Sequence, residues 1–162
     1  MSGPLAAAEY TDAVGRFATG VTLVTVRDGR DDIGSTVTAF TSVSDDPPTV
    51  LISLLSAGYL AEAVDRAGLF AVSVLAAAQR PLAGRFAAEG RPSARLLLAA
   101  VPHHRGPHTG ALVPDAAPAA LECRVTRRIE AADHTLFLAE VDAATVQADT
   151  APLIRHRGGY LR

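Results

Sequence analysis

The chain lacks tryptophan, has a single cysteine, and carries only 5% aromatic residues among 162 positions. Because large aromatic side chains are scarce, the core must be built from alanine, valine and leucine. The lone Cys123 excludes an intrachain disulfide and is consistent with a reducing compartment. Its strand parity with Leu121 predicts a buried structural thiol. The length is sufficient for one domain over residues 1–162 with its own hydrophobic core.

Charge and hydropathy exclude two further classes of function. The net charge is only −2, and no basic stripe alternates with aromatic residues, which argues against a nucleic-acid partner. No apolar run approaches the roughly 20 residues that cross a bilayer. Residues 1–9 lack the positive and apolar regions of a secretory signal. We therefore expect a cytoplasmic protein with no membrane and no nucleic-acid partner.

Short β-like runs dominate the pattern of the chain. Runs of β-branched and apolar residues predict strands over residues 21–26, 33–39, 49–55, 69–75, 121–127 and 135–141. Helical spacing predicts helices over residues 10–17, 59–67 and 79–88. Residues 89–118, which are rich in proline, glycine and histidine, are predicted to be a long loop. Many short strands with few helices predict an antiparallel barrel.

The segment 34–48 is the most informative part of the sequence. It consists of small, hydroxyl-bearing and β-branched residues and ends at Pro47-Pro48. Such a segment presents backbone amides and hydroxyls at close range, which suits a flat ligand with a polar edge. The alternative is a strand and turn whose hydroxyls bond locally. The chain has no GxGxxG and no Walker loop to favour another nucleotide site.

Histidines provide two further candidates. Asp133-His134 lies in a turn before a predicted strand, where an imidazole can donate, accept or carry charge, or simply be solvated. His103, His104 and His108 have neither zinc-finger nor HExxH spacing. We expect these three to be structural or solvated, and we predict no metal site.

Two arginine-containing segments could meet a phosphate. Residues 155–157 are basic and precede Tyr160, so guanidinium and ring could hold an anion and a base, or the tail could be solvated. Arg85 and Phe86 could likewise meet a phosphate or merely flank a helix.

Eight segments occur in a specific order and carry a family resemblance. They read GRFATGVTLVT (15–25), STVTAFTSVSDDPP (35–48), VLISL (50–54), GLFAVSVL (68–75), QRPLAGRFA (79–87), LECRV (121–125), DHTLFLAEV (133–141) and PLIRHRGGY (152–160). Together they resemble the short-chain flavin reductases, which are the reductase components of two-component flavin-dependent monooxygenases. Each motif is weak alone, but the ordered set covers nearly the whole chain.

The resemblance implies a mainly β fold with a few short helices, namely the six-stranded antiparallel Greek-key split barrel that binds FMN. It also implies a homodimer with flavin near the interface. NADH or NADPH would reduce FMN or FAD, and the reduced flavin would diffuse to a separate monooxygenase.

The resemblance further implies four groups of site residues. Those along the flavin ring and ribityl chain would be Thr36, Val37, Thr38, Ala39, Thr41, Ser42, Val43 and Ser44. Those near the flavin phosphate would be Ser53, Leu54, Ser56, Gly58, Tyr59, Arg85 and Phe86. His134 would be the catalytic residue, acting by orientation or electrostatics beside the nicotinamide. The tail would hold the pyridine nucleotide through His156, Arg157, Gly158 and Tyr160.

Three departures from the family pattern affect this expectation. Residues 55–61 lack the usual basic residue, and Leu60 stands near an expected hydroxyl, so phosphate binding and the choice of FMN or FAD stay open. Ser56 and the amide of Gly58 are expected to compensate at the start of a helix. Ala132 replaces a usual glycine before Asp-His, and residues 110–117 predict a reshaped loop.

Two other functions remain open at the level of the sequence. The chain could be a split-barrel protein that retains its flavin and acts directly on an organic substrate or serves as a flavin carrier. It could also be a heme-binding or purely structural split barrel.

Overall fold

The computed structural model describes residues 3–147 and 149–162. In chain order, its first elements are α1 (Ala7–Gly15), β1 (Thr19–Gly20), β2 (Thr22–Asp28), β3 (Asp31–Val37), β4 (Phe40–Asp45), β5 (Pro48–Leu55), α2 (Tyr59–Ala67) and β6 (Leu69–Val74). The later elements are α3 (Arg80–Ala87), α4 (Ala94–Leu97), β7 (His103–Arg105), β8 (Leu112–Pro114), β9 (Ala119–Ala131), β10 (His134–Val146), β11 (Ile154–His156) and β12 (Gly159–Tyr160).

Seven antiparallel strands form the main sheet, in the order β3-β2-β6-β9-β10-β5-β4. The two outermost strands, β3 and β4, are joined by only two residues, Thr38 and Ala39. Since two residues span less than about 12 Å, the edges of the sheet must meet at this point. The sheet therefore closes on itself as a barrel with a split between β3 and β4, which confirms the predicted mainly β split-barrel class with one strand more than the six expected.

Two apolar clusters hold the barrel together. The larger lies inside the barrel, where Ile52, Phe70 and Phe137 are fully or almost fully buried and α2 covers one end with Val64. The second packs α3, α4 and the chain near Leu153 against the opposite face of β2. Residues 22–26 of β2 are consequently buried on both faces, which is why this strand is continuously apolar or β-branched.

The prediction of a long loop over residues 89–118 is wrong. This segment contains α4 and the β7–β8 hairpin, which His103 to Arg105 form with Leu112 to Pro114. The buried carboxylate of Glu122 organises the turn between the two strands, because its Oε1 accepts hydrogen bonds from the amides of His108 and Thr109, at 2.9 and 2.8 Å. A long-range contact thus orders a segment whose composition alone resembles a loop.

Other boundaries differ from the sequence prediction in smaller ways. The strands β9 and β10 have 13 residues each, about twice the predicted length, because they pair with each other along almost their whole extent. The connection between the predicted strands 21–26 and 33–39 is shorter than expected, since β2 extends to Asp28 and β3 begins at Asp31. Helix α1 begins and ends earlier than predicted and has no buried residue.

The single cysteine is a buried thiol, as the strand parity predicts. Cys123 is fully buried inside the barrel, and burial raises the pKa of its thiol to about 12. Its neighbour Glu122 is buried as well, so β9 is covered on both faces at this point rather than half exposed. In the described part of the chain, no helix is long and apolar enough to cross a membrane.

Candidate functional site

A cleft of about 760 Å³ opens where the barrel is split. One side, which we call the sheet wall, consists of residues 34–39, residues 53–55 and His134. The other side, the loop wall, consists of residues 89–93. The start of α2, residues 58–61, closes the cleft between them. Four distant parts of the sequence thus meet in one concave site.

The free edge of β3 gives the sheet wall its polar character. Because β3 has only β2 as a neighbour, every second residue directs its backbone amide and carbonyl away from the sheet. The carbonyls of Asp32 and Gly34 point this way and accept hydrogen bonds from side chains outside the sheet. By the same alternation Thr36 presents its amide at the cleft, so the hydroxyl-rich segment offers backbone donors to a ligand.

Gly34 is required by a close approach beneath this edge. A Cβ atom at position 34 would lie 2.9 Å from Cε1 of Phe86, which is completely buried. Phe86 therefore supports the floor of the sheet wall from the core side. It does not line the cleft, which corrects the expectation that it contacts a ligand there.

Arg91 is the arginine that lines the cleft among the described residues. Its Nε donates to the carbonyl of Gly34 at 2.8 Å, and its Nη1 donates to the carbonyl of Ala88 at 3.2 Å. The side chain is half-buried, and this burial lowers the pKa of the guanidinium. Arg91 thereby ties the loop wall to the free edge of β3.

A buried carboxylate anchors the loop wall below Arg91. Asp32 is 2% exposed at its side chain, and Oδ2 accepts from Nη2 of Arg95 at 2.9 Å while Oδ1 accepts from Nη1 of Arg105 at 2.8 Å. Its carbonyl accepts from the hydroxyl of Ser93, 3.2 Å away. Burial acts to raise the pKa of Asp32, but the hydrogen bonds from Arg105 and Arg95 outweigh it and the net pKa is lowered.

The start of α2 does not compensate for the missing basic residue in the way the sequence predicts. The amide of Gly58 donates to the carbonyl of Leu55 at 3.0 Å, so it is used within the turn. The hydroxyl of Ser56 lies 2.8 Å from Oγ1 of Thr135, and Ser56 does not line the cleft. Leu60 is buried in the core, which explains why an apolar residue stands there. No side chain caps α2.

His134 lies on the rim of the cleft at the first residue of β10, opposite Leu55 of β5. Its Nδ1 is 2.8 Å from Oδ1 of Asp133, and this hydrogen bond lowers the pKa of the Asp133 carboxyl. The side chain of His134 is 44% exposed, and the residue lines the cleft. The turn before it contains Ala132 with a φ of 54°, a left-handed conformation that favours glycine.

About half of the residues predicted for the site line this cleft. They are Thr36, Val37, Thr38, Ala39, Ser53, Leu54, Gly58, Tyr59 and His134. Residues 41–44 lie on β4, the other edge of the split, and are largely exposed. Arg85 is exposed on α3, away from the lining. Residues 41–44 and Arg85 do not line the cleft of a single chain, so the structure does not support their predicted contacts with the flavin.

The tail is also separate from the cleft in the single chain. The β11–β12 hairpin carries His156, Arg157, Gly158 and Tyr160 and pairs with β1. The guanidinium of Arg80 lies 5.7 Å from the centre of the Tyr160 ring, a distance at which a cation–π contact forms. These contacts hold the hairpin against the barrel, so any role in ligand binding stays a prediction.

The sequence did not point to residues 31–33 or 89–93 as part of the site. Gly90-Arg-Pro-Ser93 has the composition of a turn, and Ser93 is the cap of α4, where it accepts a hydrogen bond from the amide of Arg95. These signals indicate where a helix begins, but they do not indicate that the segment faces a cleft.

Two of the three histidines of residues 103–108 have side-chain contacts with a structural role, and His108 bonds Glu122 through its backbone amide. Nδ1 of His103 lies 2.7 Å from the carbonyl of Val101, and Nδ1 of His104 lies 2.6 Å from Oδ1 of Asp115. Within residues 3–147 and 149–162, no group of three or more histidine, cysteine, aspartate or glutamate side chains is arranged to hold a metal ion.

Comparison with known proteins identifies the family. The flavin reductase like domain matches residues 14–162. The chain belongs to the flavin reductase family. It is 42% identical over 153 residues to the NADH-dependent FMN reductase AsuE2 of Streptomyces nodosus subsp. asukaensis, covering 94% of this chain and 82% of that protein. It is 33% identical over 153 residues to the reductase component of 4-hydroxyphenylacetate 3-monooxygenase of Thermus thermophilus, covering 94% of each.

Solved structures of this family have the same fold. The NADH:FAD oxidoreductase SgcE6 of Streptomyces globisporus, in complex with NAD and FAD fragments, has a TM-score of 0.88 and 35% identity. The alignment covers 96% of this chain and 91% of that one. BorF, the flavin reductase component of a bacterial two-component tryptophan halogenase, has a TM-score of 0.91 and 33% identity, covering 96% and 97% of the two chains.

Proposed function

We propose that this flavin reductase uses NADH to reduce FMN or FAD and releases the reduced flavin to a separate flavin-dependent monooxygenase. The observation that carries the proposal is the cleft at the split of the barrel, where three of the segments that resemble the family's motifs meet, at residues 36–39, residues 53–55 and 58–59, and His134. The relatives named above support the pyridine nucleotide, the flavin and the type of partner.

The cleft suits a flavin because its sheet wall presents a free strand edge with small side chains. The free edge of β3 directs the amide of Thr36 into the cleft, and Thr38 and Ala39 continue the same edge. Small side chains here let a ring lie close to the main chain. Backbone donors of this kind stabilise negative charge on the pyrimidine side of a reduced flavin.

The residues of this chain have a positioning role in the reaction. A bound flavin supplies the hydride acceptor, so the protein needs no covalent nucleophile. His134, held by Asp133, stands at the rim where it can orient the nicotinamide. Alignment of two bound rings accounts for a large part of such catalysis.

We also propose that the protein is a cytoplasmic homodimer built from a single domain per chain. Helix α1 supports the dimer, because no residue of it is buried within the chain. Tyr10, Val14 and Phe17 are 58%, 51% and 76% exposed on or just beyond this helix. In a homodimer β4 and the tail hairpin of one copy are available to complete the cleft of the other. Sedimentation equilibrium of the wild type and of Phe17→Ser tests this, and a monomeric wild type contradicts it.

Steady-state kinetics tests the proposed activity. NADH and NADPH are each combined with FMN, FAD and riboflavin, and oxidation of the nucleotide is followed under anaerobic conditions. We expect flavin-dependent oxidation of NADH that exceeds oxidation of NADPH. A rate no higher than the flavin-free control contradicts the proposal. A protein that stays yellow through desalting, with negligible turnover, indicates a flavin carrier or an enzyme that retains its flavin.

A further inference from the structure

We infer that Arg91 binds the 5′-phosphate of the flavin and takes over the role of the basic residue that is absent from residues 55–61. This inference rests on the proposed function, since it names the contact by which the same cleft recognises its flavin. It assigns a ligand-binding role to the loop wall, which the family resemblance does not mark.

Few residues of this chain can place a permanent positive charge in the cleft. The sequence has no lysine, so a permanent positive charge can come only from arginine. Among the described residues that line the cleft, Arg91 is the single arginine. His134 lies with the residues assigned to the nicotinamide. Arg85, which the resemblance assigns to the phosphate, is exposed on α3 outside the lining.

The other donors expected to bind the phosphate, at Gly58 and Ser56, already have partners within the chain. The amide of Gly58 donates to Leu55, and the hydroxyl of Ser56 lies at hydrogen-bond distance from Thr135. Leu60 faces the core and offers no side-chain donor. Tyr59 is exposed and lines the cleft, so it offers a hydroxyl, but no side chain of residues 55–61 carries a positive charge. This lack of a charge favours a cation from a different wall.

The guanidinium of Arg91 has a geometry that suits a phosphate. An arginine has five N–H donors in a rigid fork that matches the oxygens of a phosphate. Only Nε and Nη1 of Arg91 donate to carbonyls, those of Gly34 and Ala88, so three N–H groups remain for a ligand. The two bonds to the main chain fix the orientation of the side chain before the ligand arrives. A preorganised, half-buried guanidinium binds a phosphate dianion with less loss of side-chain entropy.

The carboxylates near the cleft leave the Arg91 guanidinium without an ion pair. The buried Asp32 beside the loop wall is already paired with Arg95 and Arg105, so it does not compete for Arg91. Asp31 and Glu89 also line the cleft, but both are exposed to solvent, which screens their charge. The hydrogen bonds of Arg91 within the described residues go to carbonyl groups and not to a carboxylate.

Flavin binding by Arg91→Ala tests the inference. Dissociation constants for FMN, FAD and riboflavin are measured by quenching of flavin fluorescence, because riboflavin has the same ring but no phosphate. We expect weaker binding of FMN and FAD by on the order of 10- to 100-fold, and an unchanged value for riboflavin. Arg91→Lys should recover part of the FMN affinity, since it keeps the charge but loses the fork.

Arg30→Ala is the matched control, because it removes the same charge from the exposed β2–β3 turn. We expect it to bind all three flavins like the wild type. Equal losses for FMN and riboflavin in Arg91→Ala would overturn the inference by showing that Arg91 only supports the wall. A selective rise in the KM for NADH would overturn it in favour of the pyridine nucleotide. A wild type that binds no flavin would instead refute the proposed function itself.

Discussion

The two walls of the cleft are built by different physical means. The sheet wall belongs to strands β3, β5 and β10, so its position follows from backbone ladders and from core residues such as Phe86. The loop wall has no ladder to the sheet and is held by side chains, chiefly by the buried Asp32 with Arg95 and Arg105. The sheet wall is therefore rigid through many weak contacts, whereas the loop wall depends on a few strong ones.

This difference separates two tasks within one site. A flat ring needs a fixed surface, and a barrel edge provides one. A phosphate needs a cation, and the loop wall can supply it by substitution of single residues without disturbing the sheet. The comparison can be tested by breaking the anchor of each wall in turn.

Asp32→Asn should have the largest effect, because it leaves Arg95 and Arg105 without their buried charge partner. We expect a loss of about 3 kcal/mol in the free energy of unfolding, after allowing for the partial exposure of the two arginines. Hydrogen exchange should increase over residues 89–98 and remain slow over residues 50–54. Equal exchange in both segments would contradict the separate anchoring of the walls. Asp28→Asn is the control, because its partner Arg66 is exposed to solvent and the loss of this pair should change stability far less than the loss of Asp32.

The same variant should change the acid stability of the protein. The pKa of Asp32 is lower in the folded chain than in the unfolded chain. Its contribution is therefore complete above about pH 4 and is lost as the pH falls through the folded pKa. Urea denaturation at a series of pH values should show a steeper loss below pH 4 for the wild type than for Asp32→Asn. Parallel curves would contradict the assignment.

Gly34→Ala disturbs the sheet wall from below. The added methyl group would lie 2.9 Å from the buried ring of Phe86, which cannot move without displacing core residues. We expect a loss of about 2 kcal/mol on thermal or urea unfolding, and weaker binding of riboflavin as well as of FMN. Gly84→Ala is the control, since a methyl group there meets nothing within 4 Å and α3 should gain stability. Unchanged riboflavin affinity in Gly34→Ala would show that the edge of β3 is not part of the ring site.

His134→Ala tests the rim of the sheet wall. We expect kcat/KM for NADH to fall on the order of 10-fold, because the proposed role of the imidazole is to orient the nicotinamide and not to act as an obligatory base. The affinity for FMN should not change. His134→Asn should recover part of the rate by keeping a hydrogen-bond donor. A complete loss of turnover would instead require a proton-transfer role for His134.

Ala132→Gly should have the smallest effect, and it should be stabilising. Ala132 has a φ of 54°, where a Cβ atom is disfavoured by about 1 kcal/mol and glycine is not. We expect a gain of about that size in the free energy of unfolding, with kcat unchanged. A lower stability would show that the turn before His134 is not strained at this residue.

The barrel was predictable because its signals are local. Alternating and apolar runs marked β2, β5, β6, β9 and β10, and Gly68 marked the end of α2. The ordered set of motifs also predicted the family and nine of the 22 residues that line the cleft. The extents of β9 and β10 were underestimated, since pairing with a neighbour extends a strand beyond its apolar run.

The β7–β8 hairpin and the loop wall were not predictable in the same way. The hairpin is ordered by Glu122, and the loop wall is ordered by Asp32, two carboxylates that are distant in sequence from what they hold. An acidic residue in a strand looks solvated when only its neighbours in sequence are considered. Its burial follows from donors that the fold brings to it.

Ordered local patterns along the chain were enough to assign the fold class, the family, the hydroxyl-rich segment and the lack of a basic residue at 55–61. The burial of Phe86 in the core, the use of Ser56 and Gly58 within the turn, and the entry of Arg91 into the cleft became apparent only in the folded chain. Hydrogen-bond partners and burial depend on contacts between distant segments, and local patterns do not contain those contacts. The sequence shows that arginines are present, but the packing of the chain determines which arginine lines the cleft.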